Sequence, residues 1–83
     1  MRIQDQIRQY IVDTGRWHGA ITELSLDYAL IDNEVLDSMG IFELVSFVED
    51  EFGITIDDED LVVENFGSIG AIESMVVAKV GAR

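Results

Sequence analysis

The sequence predicts an all-α fold, a small four-helix bundle with a short third helix and a long first loop, formed by residues 1–83 as a single domain. Three observations predict it. Apolar residues recur at helical spacing in three separate stretches. A chain of 83 residues leaves no length for a second core, yet its apolar fraction of 48% is ample for one. With no cysteine in the chain, neither a disulfide nor a thiolate metal site can staple the fold, and packing alone must hold it, which favours helices at this size.

Residues 3–14 place Ile3, Ile7, Tyr10 and Ile11 at helical spacing among Arg2, Asp5, Arg8 and Asp13, and Gly15 is suited to end that helix. Residues 15–37 contain Ile21, Leu24, Leu26, Tyr28, Leu30, Ile31, Val35 and Leu36 without a sustained period. A connection this long is unusual in a compact domain unless it is functional. Its apolar content predicts a loop packed down onto the helices, with a short turn of helix. Trp17 is expected in the core or at its rim. His18, the one histidine, has no second ligand or nucleophile beside it and reads as structural or solvated.

Residues 38–52 predict the second helix. Ile41, Phe42, Leu44, Val45, Val48 and Phe52 form a wide apolar face, and Glu43, Glu49, Asp50 and Glu51 fill the other. Asp37 or Ser38 is a suitable N-cap, and Gly53 a suitable stop. Beyond the extended link 54–56, the acidic run Asp57-Asp58-Glu59-Asp60 leads into Leu61-Val62-Val63 as a short third helix, its carboxylates at the positive end of the dipole. The run lacks the central glycine and closing glutamate of a calcium loop, so no dedicated metal site is expected. Ser68 caps the last helix, which puts Ile69, Ile72, Met75, Val76 and Val80 on one face and Lys79 and Arg83 near its end.

Seventeen acidic residues against five basic ones give a net charge of −12. That surface repels phosphates and anionic lipid, which argues against nucleic acid or a membrane as partner. It suits basic patches on other proteins. No apolar run reaches the roughly 18 residues of a membrane span, and Met1–Gln6 has no apolar signal core. The expectation is a soluble, cytoplasmic, monomeric protein.

The stretch Leu36-Asp37-Ser38-Met39-Gly40 puts a serine at the mouth of the second helix. A serine nucleophile needs a base and an oxyanion hole, but the sole histidine lies in the first loop and Asp-Ser-Met-Gly is not a Gly-x-Ser-x-Gly elbow. An enzyme is not expected. As an N-cap, Ser38 would satisfy a free backbone N–H, and alanine there would cost about 0.5–2 kcal/mol. A helix N-terminus also favours a phosphate ester, and the two roles are compatible.

Asp37-Ser38-Met39 followed by an apolar-acidic helix resembles the acyl and peptidyl carrier protein family, and the likeness runs from about Leu30 to Met75. It includes Glu43-Leu44-Val45, the stretch from Val48 to Ile54, the acidic run, and Phe66-Gly67-Ser68-Ile69. The resemblance implies that Ser38 is the attachment site of 4′-phosphopantetheine and Asp37 its motif neighbour. It further implies that Met39, Glu43, Glu49 and Asp50 face partner enzymes. Met39 stands where the family usually has leucine, a volume-conserving change. The implied partners are a phosphopantetheinyl transferase, an acyl or aminoacyl ligase, and downstream synthases or transferases with basic docking patches. Gly40 stands where fatty-acid carriers more often have an acidic or polar residue, and Asp32–Leu36 lacks a glycine often seen there. Both features look closer to free-standing aminoacyl or specialised-metabolism carriers. Two readings stay open beside the acyl carrier: an aminoacyl or peptidyl carrier loaded by an adenylating ligase, and an unmodified acidic interaction domain in which Ser38 only caps a helix.

Overall fold

A computed structural model describes residues 2–82, and among them every regular element is helical. Helix α1 spans Ile3–Asp13, α2 Ser38–Phe52, α3 Val63–Phe66 and α4 Ile69–Ala82, with 3-10 turns at Ile21–Glu23 and Asp58–Asp60. The all-α, four-helix expectation is borne out. Helix α4 packs against α1, α2 and α3. One apolar cluster joins Ile7 and Ile11 of α1, Leu44 and Val48 of α2, Phe66 of α3 and Ile69, Ile72, Met75 and Val76 of α4.

The first loop is part of that core. Leu24, Leu30, Val35 and Leu36 are all buried, which satisfies the apolar content that the sequence showed without a period. Its backbone polar groups find partners as it goes down. Arg8 Nε donates to the Leu24 carbonyl at 2.8 Å, the Leu30 amide to the Gly67 carbonyl at 2.8 Å, and the Gly70 amide to the Leu26 carbonyl at 2.8 Å. Just before α2 the chain makes a helical turn in which the Val35 amide reaches the Leu30 carbonyl and the Glu34 amide the Ile31 carbonyl. That pair of bonds is a Schellman closure, which puts the C′ residue in the left-handed region. Here the residue is Glu34, at φ 62°, where glycine is the unstrained choice. Trp17 lies at the rim, half-buried, edge-on to Tyr28 with centroids 5.2 Å apart, and His18 is exposed.

Two expectations are corrected. The acidic run is not the start of an α-helix. Asp58–Asp60 is a 3-10 turn closed by the Asp57 amide on Asp60 Oδ2 at 2.9 Å, Val62 is extended, and α3 starts only at Val63. Lys79 of α4 bridges Asp57 and Asp60, so a tertiary contact fixes the turn. Phe42 is 62% exposed rather than packed. The buried arc of α2 is centred on Gly40, Leu44 and Val48, and at about 100° per residue Phe42 falls well off it. Of the two expected cap candidates of α2, Asp37 takes the role: its Oδ1 accepts from the Gly40 amide at 2.8 Å. Gly53 ends α2 in the left-handed conformation, as expected, and the Ser68 Oγ accepts from the Ala71 amide at the start of α4. Arg83, expected to complement the α4 dipole beside Lys79, lies outside the described residues.

Candidate functional site

Ser38 is the first residue of α2 and is exposed. Because Asp37 supplies the capping oxygen, the Ser38 hydroxyl is left without a hydrogen-bond partner among the described residues. Its own amide and that of Met39 precede the first intrahelical bond and are open to an incoming acceptor. A groove of about 550 Å³ runs beside it, with Ile31, Leu36 and Ile41 as apolar walls and Glu34 and Asp37 at its edge. His18 does not line this groove; it lies in a separate cleft with Trp17 and Tyr28. No general base therefore faces Ser38 from the histidine side.

The electrostatics of this end depend on a residue that sequence reasoning missed. Arg16, from the first loop, places Nη1 at 3.2 Å from Asp37 Oδ1 and Nη2 at 2.8 Å from Glu43 Oε1. The guanidinium crosses α2 directly over Gly40. A β-carbon at that position would stand 2.8 Å from Arg16 Cζ and 2.9 Å from Nη1. Gly40 is thus the space in which the arginine lies, a physical reason for glycine after Met39. The only signal in the sequence was the scarcity of cations: one arginine standing alone in a loop of an otherwise acidic chain.

The carboxyl of Asp37 is held below its ordinary value, first by the Gly40 amide and then by the charge of Arg16. Arg16 is raised above its ordinary value, chiefly by its bond to Glu43. The guanidinium of Arg16 offsets part of the negative charge that the carboxylates of Asp37 and Glu43 bring to the serine end.

The residues expected to face partners are spread along α2 in different settings. Met39 is 64% exposed. Glu43 is exposed but already paired with Arg16. Glu49 is half-buried, and its Oε2 accepts from the Ile56 amide at 2.8 Å, which ties the end of α2 to the following link. Asp50 is exposed with no ion-pair partner among the described residues. At helical spacing Met39, Phe42, Glu43, Ser46 and Asp50 share one solvent-facing stripe. No group of three or more His, Cys, Asp or Glu side chains among the described residues is arranged to hold a metal ion. No described helix is long and apolar enough to cross a membrane.

No protein-family model matches the chain. Two curated proteins do. The chain is 36% identical over 59 residues to a protein of Exiguobacterium sibiricum named acyl carrier protein, covering 71% of this chain and 72% of that one. It is 35% identical over 60 residues to a Thermotoga maritima protein of the same name, covering 72% of each.

Proposed function

The chain belongs to the acyl carrier protein family, and from that premise we propose that Ser38 carries 4′-phosphopantetheine and that the protein is a carrier rather than a catalyst. The observation that carries the reading is the division of labour at the start of α2. Asp37 caps the helix, and the neighbouring serine is exposed with no hydrogen-bond partner for its hydroxyl among the described residues. A serine kept for capping would be engaged with the Gly40 amide. With the cap supplied by Asp37, capping gives no reason for a serine at position 38, which supports a different role for it.

The residues present fit the group. Ser38 Oγ is the attachment atom. The amides of Ser38 and Met39 and the positive end of the α2 dipole suit the ester's negative charge. Arg16 offsets the neighbouring carboxylates of Asp37 and Glu43. Ile31, Leu36 and Ile41 offer an apolar wall along which an arm can lie. When bound, phosphopantetheine supplies the thiol on which an acyl or aminoacyl cargo is held as a thioester. The chain's own part is to present Ser38 to a phosphopantetheinyl transferase, and the loaded arm to a ligase and downstream synthases or transferases. Encounters with such enzymes are short-lived, because a carrier must leave each one, and a net charge of −12 steers it to basic surfaces.

The test is the intact mass of the protein before and after incubation with coenzyme A and a broad-specificity phosphopantetheinyl transferase. A gain of one phosphopantetheine, absent from Ser38→Ala, is the expected result. A folded wild-type protein that gains nothing contradicts the reading.

A further inference from the structure

Arg16 is the one cation that ion-pairs with the serine end of α2 among the described residues. It arrives there from the loop, not from the helix, and the helix makes room for it with Gly40. Two carboxylates on either side of a glycine are a natural seat for a lysine or arginine of a docking protein, and this chain fills that seat itself. What remains open on the same stripe is an apolar pair, Met39 at 64% and Phe42 at 62% exposure, followed by Ser46 and then Asp50, which has no ion-pair partner among the described residues. Two large apolar side chains exposed side by side offer an anchor that a partner's apolar socket can cover.

We propose that Arg16 takes, within the chain, the place of a partner's cation at the serine end, so that partner enzymes grip that end through an apolar socket for Met39 and Phe42 and set their basic side chain against Asp50. Phe42 and Asp50 are eight residues apart, so the socket and the cation on the partner are separated by about 12 Å along the helix axis. The occupant is a protein surface of that description, and charge complementarity selects it. A partner with a basic residue opposite Asp37 would meet Arg16 and be repelled.

The inference rests on the carrier reading, and its test separates the two. The dissociation constant of the apo protein for a broad-specificity phosphopantetheinyl transferase is measured at low and high salt for wild type, Phe42→Ala, Arg16→Gln and Gly40→Ala. Mass gain at Ser38 is followed on the same samples, and circular dichroism checks that each variant is folded. Phe42→Ala is expected to weaken binding about ten-fold or more at both salt concentrations, as an exposed aromatic anchor does. Arg16→Gln is expected to bind about two- to five-fold tighter at low salt, with a steeper salt dependence, because two carboxylates are released to the partner. Gly40→Ala, whose methyl displaces the guanidinium while leaving the arginine in the chain, is expected to shift binding the same way. Mass gain at Ser38 with no effect of Phe42→Ala overturns this inference and leaves the carrier reading standing. So does mass gain with binding that is unchanged or weakened in Arg16→Gln. Absence of mass gain in folded wild type overturns both.

Discussion

The connection before α2, residues 14–37, sends Leu24, Leu30, Val35 and Leu36 into the core and is tied by backbone hydrogen bonds to α3 and α4. The connection after it, residues 53–62, buries Ile54 and is held mainly by polar contacts: Glu49 on the Ile56 amide, and Lys79 on Asp57 and Asp60. Each also contains a site where one cation holds two carboxylates, but the two sites do different work. Lys79 reaches out from a helix to fix a turn. Arg16 reaches from a loop onto the start of a helix, beside the exposed Ser38. A long loop packed by apolar contacts can place a charge accurately, because its backbone is fixed by burial rather than by the charge it carries.

Leu30→Ala should break the first connection most severely. Leu30 is fully buried, and its truncation is expected to cost about 2–5 kcal/mol, read as a fall in denaturation midpoint with loss of the Trp17–Tyr28 contact by fluorescence. Next in size is the cap. Asp37→Ala should lower Tm by about 4–8 °C, whereas Ser38→Ala, which removes no hydrogen bond, should leave Tm within about 2 °C of wild type. A larger effect at Ser38 than at Asp37 would reverse the assignment of the cap. Glu34→Gly should act in the opposite direction, raising stability by about 1 kcal/mol, because glycine adopts the left-handed conformation without strain.

Acid should weaken the ion pairs of both connections, since Asp37 and Asp60 are both held below their ordinary value, but it should loosen the backbone of the second, because the first is held by the buried Leu24, Leu30, Val35 and Leu36. Lys79 holds the Asp60 carboxyl below its ordinary 3.8, followed by the Asp57 amide. A carboxyl depressed in the folded state contributes its stabilisation in full above its unfolded value and loses it as pH falls through the folded value. On lowering the pH below about 4, the amide NMR signals of residues 57–61 should shift before those of Leu30 and Val35. Simultaneous change in both connections would mean that the turn has no independent dependence on the ion pair.

The sequence was informative where local chemistry decides the structure. Gly15 and Gly53 stop α1 and α2, Ser68 caps α4, and Ile7, Ile11, Leu44, Val48, Ile72 and Val76 fall on buried faces at helical spacing. It was less informative where a distant residue decides. Lys79 turns the acidic run into a 3-10 turn, so α3 lies later in the chain than its carboxylates suggested. Periodicity alone spread the apolar face of α2 as far as Phe42, because it records apolarity and not whether a neighbouring element is there to cover it. At the site, Asp37 and Ser38 were both legible as candidate caps, and only geometry separated them. Arg16 was not legible, since its partners lie 21 and 27 positions along the chain. Its trace was a glycine whose purpose appears once the guanidinium is seen lying on it.

The most direct test of the account is to locate the added group by fragmentation mass spectrometry after incubation with coenzyme A and the transferase. The chain offers Ser25, Ser38, Ser46, Ser68 and Ser74 as hydroxyl acceptors of the same type. Phosphopantetheine is expected on Ser38 alone, the exposed serine whose helix is capped by its neighbour. Its appearance on another serine, or on none while the protein is folded, would contradict it.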